Sequence, residues 1–139
     1  MKYVLDTNVV SALMRGDAQV IARLRRLPKM DVSLPQPVLA EIEFGLARLS
    51  ASRRKARLTE RFHFIRDELG RTAWTDDVSA AFGRIKALLF RKGQPIEDLD
   101  IAVAAHALAT DATLVTANLA HMLRVPGLRI EDWTKEESL

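Results

Sequence analysis

The run Tyr3-Val4-Leu5 constrains this chain more than any other stretch. It is apolar, too short for a helix, and it stops abruptly at a carboxylate, Asp6. Thr7 and Asn8 follow, and then a helical pattern begins with Val9, Val10 and Leu13. A buried strand feeding a helix through a tight turn has this form. In open α/β sheets ligands bind beyond the carboxyl ends of the strands. Asp6 is therefore a candidate site residue, and equally a candidate cap for the helix that follows it.

The remaining sequence repeats the alternation. The first helix is expected from about Thr7 to Met14, stopping before Gly16. Asp17 caps a second, whose apolar positions Val20, Ile21, Leu24 and Leu27 recur at helical spacing until Pro28 ends it. Asp31 to Leu34 reads as a short strand closed by Pro35 and Pro37, and Gln36 to Leu49 as a helix with Val38, Leu39, Ile42, Leu46 and Leu49 as its core stripe. At about 100° per residue, Glu41 and Glu43 lie on opposite flanks of that stripe, and periodicity does not choose between them. Gly45, one turn beyond Glu41, is expected to serve close packing or close approach of a ligand.

Ser52 to Leu69 forms a fourth helix with a narrow seam of Leu58, Phe62, Ile65 and Leu69, crowded by Arg53, Arg54, Lys55, Arg57, Arg61 and Arg66. That basic face reads first as solvated, with snorkelling side chains, and alternatively as a phosphate-contacting patch carried by Arg54 and Arg61. Arg71 to Trp74 is a weak strand pattern, and Thr75, Asp76 and Asp77 then open a helix that ends at Gly93. Glu97 to Thr110 follows as a helix that is apolar all round apart from His106 and built mostly from small residues, so it is expected to be buried on several sides. Asp98 suits a cap there. Asp100 falls on the face of Ala104 and Ala107, where a carboxylate needs a partner, and a cation is the obvious one. His106 is expected to be a hydrogen-bonded histidine at the helix edge. Thr113 to Thr116 reads as a buried strand, Leu119 to Met122 as a short helical turn, and Leu128 to Ile130 as a last strand, with Trp133 anchoring the tail.

Strands alternating with helices throughout predict an α/β fold: one domain over residues 1–139, with a parallel sheet of about four to five short strands and helices on both faces. The chain has no cysteine, which excludes disulfides, thiolate metal sites and a Cys nucleophile. The first apolar run breaks at Asp6, and no stretch is long enough to span a bilayer, so a cytoplasmic protein without a membrane partner is expected. A net charge of +3 is compatible with a nucleic-acid partner without demanding one.

Three acids, Asp6, Glu41 and Asp100, are thus placed where they could meet, with Asn118 at another strand end beside them. Like charges gathered in one cleft repel unless a cation binds. All-oxygen ligands favour Mg²⁺ or Mn²⁺ over zinc, and such an ion activates water and orients a phosphodiester. No Walker-type loop and no local Ser/His/Asp signature is present.

In order, Leu5-Asp6-Thr7-Asn8, Ala40-Glu41 with Gly45, Asp100-x-x-Val-Ala-Ala-His-Ala, Leu114-Val115-Thr116-x-Asn118 and Pro126-Gly127-Leu128 through Trp133 resemble the PIN-domain ribonucleases. Within that family the chain is most similar to VapC-type toxins of bacterial toxin–antitoxin pairs, over essentially its whole length. The resemblance implies a metal-dependent endoribonuclease that inhibits translation and growth, with Mg²⁺ (or Mn²⁺) as cofactor. It also implies RNA as substrate, a homodimer, and a cognate antitoxin that blocks the acidic groove. Carried over by motif, Asp6 and Asp100 hold the metal, and Glu41 rather than Glu43 is the further catalytic acid. Thr7, Asn8, Thr116 and Asn118 support the site, and Asp98 keeps a capping role. One position departs from the pattern: many members carry an acid three residues after the Asn, where this chain has His121. The departure leaves open whether one ion or two is bound, and it is the support for an alternative, a non-catalytic PIN-like module that binds RNA or protein. A haloacid-dehalogenase type of phosphate transfer, with Asp6 as nucleophile, usually wants a second Asp two residues on, where Asn8 stands.

Overall fold

The structure, a computed structural model, describes residues 1–136. Its strands are β1 (Tyr3–Leu5), β2 (Val32–Pro35), β3 (Gly70–Thr72), β4 (Thr113–Val115) and β5 (Ile130–Glu131). Its helices are α1 (Thr7–Met14), α2 (Ala18–Arg25), α3 (Gln36–Ala47), α4 (Arg53–Glu68), α5 (Asp76–Arg91), α6 (Asp98–Ala109) and α7 (Leu119–Met122). The strands form one sheet in the order β3-β2-β1-β4-β5, and every pairing is parallel. The expected α/β architecture is the one observed.

Local chemistry explains most boundaries. Asp6 ends β1 and caps α1, accepting from Thr7 N. Gly16, at φ +80°, turns the chain, and Asp17 caps α2 through bonds from Gln19 N and Val20 N. Ser52 caps α4 and Thr75 caps α5 in the same way. Pro35 and Pro37 close β2 and open α3, where missing N–H groups cost nothing.

Successive residues of β1 and β4 are buried, so both sheet faces are covered. The core joins Val4 and Leu5 to Val9, Val10, Val38, Phe62, Ile101, Leu114 and Met122. Trp133 is buried against Tyr3, with ring centroids 5.8 Å apart, and its Nε1 donates to Glu131 Oε1 at 3.0 Å.

Several expectations shift. The weak strand pattern at 71–74 becomes β3 at Gly70–Thr72, and the last strand lies at Ile130–Glu131. Asp98 is no cap: it is the first residue of α6, makes no cap bond, and pairs with Lys86 Nζ at 2.9 Å. His106 is fully buried rather than at a helix edge, because α6 is enclosed on every side. Apart from its chain neighbours and its own helix backbone, no heavy atom among the described residues lies within 4 Å of a Cβ built on Gly45, so close packing does not explain that glycine.

Candidate active site

The strand order reverses direction at β1. From there the chain winds outward to β2 and β3, and later crosses to β4 on the other side. Such a switch point opens a crevice at the carboxyl ends of the two central strands. Leu5 pairs with Val115, so the next residues, Asp6 and Thr116, stand side by side there. Asp6 N donates to Val115 O at 2.9 Å and extends the ladder by one bond.

Asp6 is buried, at 3% exposure, and its carboxylate is held from three directions. Oδ1 accepts from Thr7 N at 2.8 Å, while Oδ2 accepts from Thr116 Oγ1 at 2.8 Å and from Asn8 Nδ2 at 3.3 Å. Thr116 Oγ1 in turn accepts from Asn118 N at 2.9 Å and Asn8 Nδ2 at 3.2 Å. Asn8 Oδ1 accepts from Ala117 N at 2.9 Å, so one side chain ties the loop after β4 to the start of α1. Thr7, Asn8, Thr116 and Asn118 are therefore the scaffold of one carboxylate and one loop.

Asp100, in the first turn of α6, faces the same crevice. Its Oδ2 lies 3.1 Å from His121 Nδ1 and 3.5 Å from Asn118 Nδ2. Glu41 approaches from α3. Burial pushes the Asp6 carboxyl above the ordinary carboxylate range, its three hydrogen bonds oppose that shift, and the Asp100 charge adds to it. Burial also raises Glu41, with Asp6, Asp100 and Glu97 pushing the same way. Thr7 Oγ1 is buried without closing a hydrogen bond, yet lies near enough to Glu41 to hold that carboxyl down in part. Among the described residues no lysine or arginine forms an ion pair with any of the three acids.

The three acids thus feel one another's charge across one crevice. Even so, among the described residues no three acidic or histidine groups are close enough to enclose a metal ion by themselves. The donor set, carboxylates and an amide around an orphaned hydroxyl, suits a hard divalent cation that keeps part of its water shell.

The basic residues of α4 are not drawn in. Arg61 Nη1 donates to Met14 O at 2.9 Å, closing the end of α1, and Arg54 is exposed. Glu97 is the acid whose influence on Glu41 sequence reasoning missed. Its place at the start of α6 signals only a favourable dipole.

A five-stranded parallel sheet with acids converging at its switch point defines the class, and a family model agrees. The PIN domain model matches residues 3–128, and the chain belongs to the PIN-domain family. Among its relatives, Ribonuclease VapC2 of Rickettsia felis is 31% identical, covering 97% of this chain and 100% of that protein. The tRNA(fMet)-specific endonuclease VapC of Salmonella typhimurium is 32% identical over 96% of this chain and 98% of its own. The fold is also similar to the VapBC2 structure from Rickettsia felis bound to a DNA fragment from its promoter. There the TM-score is 0.85 with 29% identity, covering 96% of this chain and 99% of the other. Among the described residues no helix is long and apolar enough to cross a membrane.

Proposed function

We propose that this chain is a metal-dependent endoribonuclease and the toxin of a toxin–antitoxin pair. The observation that carries the reading is the register of β1 with β4. It sets Asp6 beside Thr116 in the crevice that Asp100 and Glu41 also face. Relatives named as ribonucleases over their whole length, and a structural likeness to a VapBC assembly, support the RNA substrate and the antitoxin partner.

Asp6 and Asp100 would hold the ion, Mg²⁺ or Mn²⁺, with water completing its shell. When bound, such an ion lowers the pKa of a coordinated water and offsets charge on the phosphodiester. The chain's own groups set the geometry. Thr7 N, Thr116 and Asn8 orient Asp6, so it meets a cation without rotamer search. Glu41, raised by burial, is the group suited to take the proton of the attacking water. Asn118 joins the loop after β4 to Asp100. A homodimer, with the acidic crevice the surface an antitoxin blocks, completes the reading.

The test is incubation of the purified protein with end-labelled tRNA and unstructured RNA, with Mg²⁺ or Mn²⁺ or with EDTA, beside Asp6→Asn. Metal-dependent cleavage by the wild type alone is expected. Cleavage in EDTA, or equal cleavage by the variant, would overturn the proposal.

A further inference from the structure

We propose that His121 donates Nδ1 to the ion held by Asp100, making a mixed nitrogen–oxygen centre that prefers Mn²⁺ to Mg²⁺. The inference rests on the metal-dependent reading above and concerns a histidine set directly against one of the acids. α7 begins directly after Asn118, and His121 lies one turn on, so both side chains project to the same side.

Three polar atoms meet there. His121 Nδ1 is 3.1 Å from Asp100 Oδ2, Asn118 Nδ2 is 3.2 Å from that Nδ1, and Asn118 Nδ2 is 3.5 Å from Asp100 Oδ2. An amide nitrogen only donates. Its place beside a carboxylate oxygen fixes which end of Asn118 faces Asp100. Nδ1 and Oδ2 thus converge on one space, which a shared proton fills without metal and a cation can fill in its place. Adjacent ligands of an octahedral ion at about 2.0–2.1 Å lie about 3 Å apart, the separation seen here. The pair sits at the mouth of the crevice, with side chains 41% and 19% exposed, so an ion and its remaining waters can enter.

Imidazole is a softer donor than carboxylate. Mg²⁺ favours oxygen, whereas N/O sites bind first-row transition metals increasingly well from Mn²⁺ onward. A carboxylate–imidazole pair therefore favours Mn²⁺ over Mg²⁺ relative to a pair of carboxylates.

The experiment loads the intact protein with Mn²⁺ and records pulsed EPR, then measures Mn²⁺ and Mg²⁺ dissociation constants by calorimetry for wild type, His121→Ala and His121→Asp. Nitrogen-14 coupling is expected in the wild type and absent from both variants. The other histidines do not compete, since His63 is exposed on α4 and His106 is buried in α6. The Mg²⁺-to-Mn²⁺ ratio of dissociation constants should fall about tenfold in His121→Asp. Mn²⁺ bound without nitrogen coupling, or an unchanged ratio, would reduce His121 to a hydrogen-bond partner of Asp100 and overturn the inference while leaving the nuclease reading in place. Failure of the wild type to bind Mn²⁺ would overturn it together with the metal reading. Nitrogen-coordinated Mn²⁺ in a protein that cleaves no RNA would uphold it and sink the nuclease reading.

Discussion

Asp6 is the one fully buried carboxylate among the described residues, and bonds from Thr7 N, Thr116 and Asn8 replace its lost water. Asp100 has no such cradle, only His121 and Asn118 beside Oδ2. The two acids therefore differ in what substitution does: Asp6→Asn disturbs a hydrogen-bonded loop, whereas Asp100→Asn mainly removes a charge. Asp100→Asn should lower RNA cleavage by more than about 100-fold, beyond the 10–100-fold usual for outer-shell changes. Asp98→Asn, whose parent pairs with Lys86 on the surface, should cost little. Single-turnover rates on labelled RNA distinguish the two variants, and equal rates for both would remove Asp100 from the mechanism. His106 gives a different kind of prediction. Its Nδ1 lies 2.7 Å from Ala102 O, which only accepts, so Nδ1 carries a proton. Nε2 is buried without a partner, and the ring stands perpendicular to that of Trp74 with centroids 5.4 Å apart. Burial lowers its pKa, while the bond to Ala102 opposes the shift. The unfolded chain then takes up a proton that the folded one refuses. Stability should fall as pH drops below about 6.5 and level off only below the depressed folded value. Urea unfolding at pH 7.5 and 5.5 should show a smaller loss in His106→Leu than in the wild type.

Elements were legible where their signals were local. Asp17, Ser52, Thr75 and the two prolines of the β2–α3 junction mark helix starts within a few residues of where they act. The apolar run of α6 announced its own burial. What stayed hidden depended on contacts between distant segments. Arg61 reads in sequence as one of six cations crowding a helix, but its Nη1 donates to Met14 O, 47 residues away, and so closes the last turn of α1. Trp74 over His106 and the meeting of His121 with Asp100 are hidden for the same reason. Glu41 stayed level with Glu43 until the motif order was considered, because a helical wheel does not say which flank faces a neighbouring strand end. The cap makes a testable difference within one basic face. Arg61→Ala should destabilise the fold by about 1–2 kcal/mol by leaving a helix-end carbonyl without its charged donor. Arg54→Ala, at an exposed position, should leave thermal stability unchanged. Matched calorimetric melts of the two variants decide this, and equal melting temperatures would show that Arg61 is only another solvated side chain.

At the scale of the whole molecule, the sheet order concentrates charge at the point where the central strands diverge. Folding must bring Asp6, Glu41 and Asp100 toward one another, and in each of the two raised carboxyls part of the upward push is the charge of its neighbours. An ion bound there stabilises the folded state alone, because the unfolded chain does not assemble the crevice. At a hundredfold excess over the dissociation constant this linkage is worth about 2.7 kcal/mol. For a chain of this length that corresponds to a rise in melting temperature of about 8 °C. The wild type should therefore melt higher in Mn²⁺ or Mg²⁺ than in EDTA, by an amount that grows with the logarithm of metal concentration. Asp100→Asn should respond in the opposite sense on both counts. Without metal it should melt above the wild type, since one of the repelling charges is gone. With metal it should gain little, since one of the two ligands is gone. Scanning calorimetry of both proteins across a metal series, at constant ionic strength, separates this from general screening. If the wild type shows no metal-dependent rise while Asp100→Asn is still the more stable, the acids face one crevice without serving a cation.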